Sequence, residues 1–293
     1  MENYEVYNMK NVQKQLNDRT YTHYFYYLML IARSVFKWNN LPNGIDEKWI
    51  ERFLFTHGNC LFFKDKTKGY MVAKCTPSDN LNAYDEPTGL RPYGTNYDGE
   101  SLTNYKDCVL IRNNDIMLPT APAIQLFAYR LAETTRTIDT NIAQQKTPVI
   151  VTCSDKQKLS MTKVIKQRDT NEIVIYGDKS LDTDSIKVLK TDAPVVFDKL
   201  QLQKHAIWNE CMTFLGINNA NQDKKERLVD DEVQANNEQV DASINLMLKS
   251  REQACDMINE LYEDLDISVE IRTDLKPTLD GIEDIKDGDE DDR

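Results

Sequence analysis

The chain has 293 residues, 40% hydrophobic and 29% charged, and its 36 Lys and Arg against 48 Asp and Glu leave a formal net charge of −12. This length and apolar content provide for one large or two modest domains with a real core and exclude disorder throughout. The acidic balance excludes a protein that grips nucleic acid with a uniformly basic surface.

From Arg19 to Trp38 apolar and aromatic residues recur at Tyr21, Tyr24, Phe25, Leu28, Ile31, Ala32, Val35 and Phe36, which predicts a helix with one broad buried face. It stops at Asn39-Asn-Leu-Pro42. Asn43-Gly44 makes a turn, Asp46 caps the next helix, Trp49, Ile50, Phe53 and Leu54 form its apolar face, and Gly58 ends it. Cys60–Phe63 and Tyr70–Ala73 read as strands flanking a Lys-Asp-Lys-Thr-Lys-Gly turn, and Asp107–Arg112 as a third. Between them, Thr76–Asn104 is rich in Asn, Asp, Gly, Pro and Tyr and reads as a surface excursion with little core of its own.

Pro119-Thr-Ala-Pro122 opens a long helix with Thr120 as its cap. Its apolar residues, Ile124, Phe127, Leu131, Ile138 and Ile142, make a narrow seam rather than a wide face. A second helix, from about Val196 to Leu215, repeats that seam at Val196, Leu200, Ile207, Cys211 and Phe214. Two helices of this kind look like staves that want neighbours on their sides. Between them lie a strand at Val149–Cys153, a short helix at Lys158–Gln167 and strands at Glu172–Tyr176 and Ile186–Leu189, a compact α/β insert. Asn218–Glu238 is too polar to repay its ordering cost in full, and part of it is expected to be mobile. A further helix is expected over Ser243–Asp264, an alternating strand at Ile267, Val269 and Ile271, and a disordered acidic tail from Glu283. The fold class is therefore mainly α with a small α/β insert, α+β overall.

Six cysteines (Cys60, Cys75, Cys108, Cys153, Cys211, Cys255) form no CxxC pair and read as free thiols in a reducing compartment. His23, His57 and His205 sit in no zinc-binding spacing, so neither a metal nor another cofactor is expected. The first residues carry Glu2 and Glu5 where a signal peptide needs positive charge, and the most apolar run, Tyr24–Ala32, is about half of a membrane helix; neither export nor a membrane role is expected. No GxxxxGK[ST], GxGxxG or GxSxG occurs, which leaves no phosphate cradle or nucleophile elbow and argues against an enzyme.

Several segments carry a resemblance: Trp38-Asn-Asn-Leu-Pro42, Asn113-Asn-Asp115, Leu126-Phe-Ala128 with Leu131-Ala-Glu133, Lys146-Thr-Pro-Val149, Leu181-Asp-Thr-Asp-Ser-Ile186 and Lys190-Thr-Asp-Ala-Pro194. Asp198-Lys-Leu200, Trp208-Asn-Glu210, Met212-Thr-Phe-Leu-Gly-Ile217, Lys224-Lys-Glu-Arg227 and Leu248-Lys-Ser-Arg-Glu252 continue it. In this order and spacing the chain resembles, from about Asn17 to Ile271, the upper collar (connector, or portal) proteins of small short-tailed bacteriophages with protein-primed genomes, the Picovirinae-type podoviruses. The resemblance implies a ring of about twelve copies at one capsid vertex. Double-stranded DNA is driven through its channel by a separate packaging ATPase and later ejected. Partners are then the major capsid and scaffold proteins and the lower collar and tail proteins, and the site of action is the virion, after assembly in the host cytoplasm. An oligomeric collar or tail adaptor, or a scaffold without a DNA-gating role, is the alternative.

On this plan residues 1–118 form the N-terminal part of a peripheral wing, 119–147 the first stem helix, 148–194 the clip and 195–216 the second stem helix. Residues 217–245 form a polar segment with a channel loop, 246–280 the C-terminal part of the wing, and 281–293 the disordered tail. By resemblance Lys190 and Lys199 face the channel, where exposed ammonium groups on flexible stems touch phosphates transiently. Leu228–Asn245 corresponds to the channel loop, with Asp230, Asp231, Glu232, Glu238 and Asp241 making it acidic and non-adhesive and Gln234, Asn236 and Asn237 lying among them. Lys224, Lys225 and Arg227 are placed to meet DNA or a neighbouring subunit. The family's basic N-terminal arm, which helps to hold a packaging RNA, has no counterpart here: Met1–Lys10 contains Glu2, Glu5 and only Lys10, which speaks against RNA tethering. Summed over about twelve copies the net charge reaches on the order of −140, a field that suits a conduit which does not grip its cargo.

Overall fold

The computed structural model describes residues 12–77, 81–145, 149–151, 186–188, 194–218, 230–275, 277–279 and 281–282. The expected helix at 158–167, the strand at 172–176 and the acidic tail from 283 lie outside them. The chain divides into two units, one of Met1–Thr134 with Gln203–Arg293 and one of Thr135–Leu202. The boundaries fall within two helices.

In the first unit, α1 (Val12–Ala32) packs Tyr24, Leu28 and Ile31 inward. It ends earlier than the apolar periodicity implied. Phe36–Asn39 is not its last turn but strand β1, paired antiparallel with β10 (Ser268–Ile271) in the register Phe36↔Ile271 and Trp38↔Val269. A partner strand more than two hundred residues away satisfies backbone groups that a helix would have satisfied locally.

Helix α2 (Glu47–His57) is bounded as its sequence requires. The Asp46 carboxylate accepts the Lys48 N–H, and Gly58, at φ 76°, donates its N–H to Leu54 O at 3.0 Å. A side chain at 58 would place its Cβ 1.9 Å from Met117 O, so the close approach of that loop also requires glycine. Strands β2 (Asn59–Asp65), β3 (Gly69–Pro77), β4 (Gly89–Gly94), β5 (Tyr97–Asp98), β6 (Leu102–Thr103) and β7 (Cys108–Arg112) form an antiparallel sheet in the order β5-β4-β3-β2-β7, with β6 also pairing β4. The segment expected to be a coreless excursion thus supplies three strands, and Leu90 is buried within it.

Alternation along the strands splits the sheet into two faces. Cys60, Phe62, Val109 and Ile111 pack with Ile50 and Leu54 of α2 and with Ala254, Cys255 and Ile258. Leu61, Phe63, Ala73, Leu90, Cys108 and Leu110 form a cluster on the other side. The residues from 254 to 258 belong to α5 (Asp230–Leu261), which starts well before the expected Ser243. Val240, Ile244 and Met247 are buried along it, so the stretch read as a polar channel loop is helical backbone from Asp230 onward. Strands β11 (Pro277–Thr278) and β12 (Gly281–Ile282) form a short hairpin, and Thr278 O accepts the Tyr27 hydroxyl.

The two long helices are α3 (Ala121–Gln145) and α4 (Phe197–Phe214). Within the first unit, Ile124, Phe127, Leu131, Ile207 and Cys211 are buried in one cluster with Tyr24, Leu28, Ile31 and Ile244. These seam residues are therefore globular core of their own chain, filled by α1 and α5. In the second unit, β8 (Val149–Val151) pairs antiparallel with β9 (Ile186–Val188) in the register Val149↔Val188.

Candidate functional site

A buried polar hub lies at the centre of the first unit. The Arg251 guanidinium, on α5, donates from Nε and Nη2 to the two oxygens of Glu51, each at 2.9 Å, with side-chain exposures of 2% and 3%. Its Nη1 donates to Asn113 O and Met247 O, its Nη2 also to Asn113 Oδ1, and its Cζ lies 4.0 Å from the Phe36 ring centroid. Trp38 Nε1 donates to Glu51 Oε1 at 2.9 Å, and Asn113 Nδ2 to Leu118 O and Thr120 Oγ1. One fork thus ties β1, α2, the loop after β7, the start of α3 and the middle of α5. A buried, fully bonded ion pair of this kind fixes register, because any slip strands a charge in apolar surroundings. Sequence reasoning quoted Trp38, Asn113 and Arg251 within distinctive segments but missed that they meet. The available signal was an arginine on the buried side of α5, between Met247 and Cys255.

A second polar clamp lies in the second unit. Asn141 is buried on α3; its Nδ2 donates to Pro194 O at 2.9 Å and its Oδ1 accepts the Val196 N–H at 3.2 Å. The side chain reads both polar groups of the chain entering α4, so it fixes where that helix begins. Lys199 then projects from the first turn of α4, exposed beside Asp198. Arg136 and Asp139 pair at 2.8 Å on α3.

The structure brings the remaining predicted residues together only in part. Val196, Leu200 and Ile138 are half-buried and Ile142 is 46% exposed, so the seam of the second unit is left open. Phe214 is partly exposed against Phe127, with ring centroids 5.9 Å apart. Glu238 and Asp241 are exposed on α5. Asp230, Asp231, Glu232, Gln234, Asn236 and Asn237 lie on the helical backbone of α5, their side chains outside the described set. Lys190, Lys224, Lys225 and Arg227 lie outside the described residues altogether.

The described thiols are poor nucleophiles. Burial pushes the Cys75 thiol up to about 11 and those of Cys108 and Cys255 to about 12, which leaves almost no thiolate at neutral pH. Among the described residues no group of three His, Cys, Asp or Glu side chains is arranged to hold a metal ion, and no helix is long and apolar enough to cross a membrane.

A protein-family model described as Phage Connector (GP10) matches residues 4–276. Among solved structures, a chain of "Portal and tail of native bacteriophage P68" aligns with a TM-score of 0.51 and 17% identity, covering 95% of each chain. A chain of "Neck of native GTA particle computed with C12 symmetry" aligns with a TM-score of 0.50 and 8% identity, covering 87% of this chain and 81% of that one. At such identities the likeness is one of fold, a mixed helix-and-sheet portal fold.

Proposed function

Because the chain belongs to the Phage Connector (GP10) family, and is thereby a head–tail connector portal protein, we propose that about twelve copies close a ring around a DNA conduit at one capsid vertex. The family match over nearly the whole chain carries this reading. The twelvefold symmetry of the gene-transfer-agent neck supports the copy number. A separate ATPase drives double-stranded DNA inward through the channel, the same path serves ejection, and capsid, scaffold and lower collar or tail proteins bind the outside. The virion vertex is the site of action, reached by assembly in the host cytoplasm, and the small short-tailed phages with protein-primed genomes are the lineage.

In this reading Lys190 and Lys199 line the channel. Lys199 stands exposed on a turn whose start is held by Asn141, so its stem is mobile while its anchor is not. Such a group attracts passing phosphates without holding them. Asp230, Asp231, Glu232, Glu238 and Asp241 border the lumen and repel it, so the start of α5 resists backward slip by bulk rather than by adhesion, with Gln234, Asn236 and Asn237 filling the same stretch. Lys224, Lys225 and Arg227 meet DNA or a neighbouring copy. Single-molecule packaging tests the site: Lys190→Ala with Lys199→Ala is expected to raise pausing and slippage while leaving ring assembly intact. Unchanged velocity, pausing and genome retention would remove these lysines from the mechanism.

A further inference from the structure

Helix α1 is apolar on two sides. Tyr24, Leu28 and Ile31 face the core, whereas Tyr26 and Leu30 are 58% and 56% exposed on the opposite side. They line an open groove of about 560 Å³ that runs along the helix past Asp18, Arg19 and His23. Positions 19, 23, 26, 30 and 33 recur at helical spacing, so this is one continuous face, and it ends on Arg33. The Arg33 Nη2 donates to Lys48 O at 3.0 Å, but its buried Nε has no acceptor among the described residues. Burial, and then the charge of Arg52, pull its pKa down, and the charge of Glu51 offsets this only in part.

Helix α5 has the opposite character. Ile244, Met247 and Ile258 are buried on its inner side. Outside and beyond the stretch that borders the lumen, Glu252, Asp256 and Glu260 are exposed at helical spacing, with Lys249 the one exposed base among the described residues of that helix. Leu246, 69% exposed, sits at the edge of this acidic face. The inner sides of α1 and α5 share one core cluster, so both outer faces point away from it.

Neither face complements itself. A twofold contact between α5 faces would set acidic against acidic, and one between α1 faces would leave Arg33 without a carboxylate, whereas two unlike faces on one chain give a head-to-tail contact, the kind that closes into rings. The geometry points to the outer face of α1 in one copy docking on the outer face of α5 in the next, with Leu246 in the groove beside Tyr26 and Leu30 and Arg33 received by an α5 carboxylate. This inference rests on the ring reading above and adds which surfaces close the ring.

Cysteine cross-linking of the full chain tests it. Leu30→Cys combined with Leu246→Cys, under mild oxidation, is expected to give a ladder of covalent multimers beyond the dimer that collapses on reduction. Glu252→Arg with Asp256→Arg is expected to lower ring yield by about tenfold or more, and Arg33→Glu in that background to recover part of it. Dimers from Leu30→Cys alone would mean a twofold contact and overturn the proposal. Wild-type rings without a ladder, in which Leu30→Asp and Leu246→Asp also assemble normally, would overturn it while leaving the ring reading intact. A wild-type chain that stays monomeric would overturn both. Cross-links found only to a capsid or tail protein would give the faces another partner and overturn it as well.

Discussion

Replacing Glu51 with Gln removes the charge that Arg251 answers while keeping the side chain's size. The two side chains are 2% and 3% exposed, so water cannot stand in for the lost carboxylate. The remaining acceptors around the guanidinium, Asn113 O, Asn113 Oδ1 and Met247 O, are neutral. The amide oxygen of Gln can still accept from Trp38 Nε1, but its NH2 group then faces the Arg251 Nη2 donor, so the variant loses both the charge and one acceptor. Breaking one side of a buried pair costs about 3–5 kcal/mol, and at about 2–4 °C per kcal/mol the midpoint is expected to fall by roughly 6–20 °C. Glu51→Leu with Arg251→Met leaves no stranded charge; its cost is the orphaned Trp38 and Asn113 groups, about 1–3 kcal/mol for each that stays unsatisfied. Thermal and urea unfolding followed by tryptophan fluorescence and near-UV circular dichroism measures both. A Glu51→Gln loss below about 1 kcal/mol, or a double variant as costly as the sum of its singles, would refute the view of the hub as a charge-matched lock.

Gly58→Ala is expected to destabilise by more than about 1 kcal/mol, since it sets a Cβ at 1.9 Å from Met117 O at φ 76°; a neutral result in urea titration would contradict the tight approach. The Asp65 carboxylate accepts from Thr67 N, Thr67 Oγ1, Tyr97 Oη and Lys68 N, which hold its pKa well below the ordinary carboxylate range. Its folded value lies below its unfolded one, so its contribution is complete above about pH 4 and is lost as pH falls below that. Asp65→Asn is therefore expected to be less stable at neutral pH and to show a shallower acid-side decline than wild type; parallel declines would contradict this. With burial raising the thiol pKa values of Cys108, Cys211 and Cys255, brief iodoacetamide treatment at pH 8 is expected to leave all three unmodified in peptide maps until denaturant is added, and native-state labelling of any of them would contradict the packing.

Local chemistry was legible where the deciding residues are neighbours in sequence. Asp46 and Gly58 bound α2, Gly216 follows α4 at φ 72°, and the Lys-Asp-Lys-Thr-Lys-Gly turn joins β2 to β3. What escaped was decided at a distance. Phe36 and Trp38 continue the helical periodicity of α1, yet the pairing of Phe36 with Ile271 draws them into a strand. The seam at Ile124, Phe127 and Leu131 looked too narrow for a globular core because its complement, Tyr24, Leu28 and Ile31, lies a hundred residues earlier. The polar start of α5 hid a helix whose few buried residues, Val240 and Ile244, are enough once a core exists to receive them. The hub was invisible for the same reason: Glu51, Asn113 and Arg251 acquire meaning only when three distant segments meet. Lys199 was named from resemblance, and the clamp that positions its helix, Asn141, carried no signal of its own.

Electron cryomicroscopy of the purified full chain and of DNA-filled particles tests the central claim most directly. The account predicts a closed ring of about twelve copies around an open axial channel, and in filled particles DNA density along that axis at a single vertex. A chain that forms no ring, or a ring lying beyond the vertex with no DNA path through it, would contradict the account.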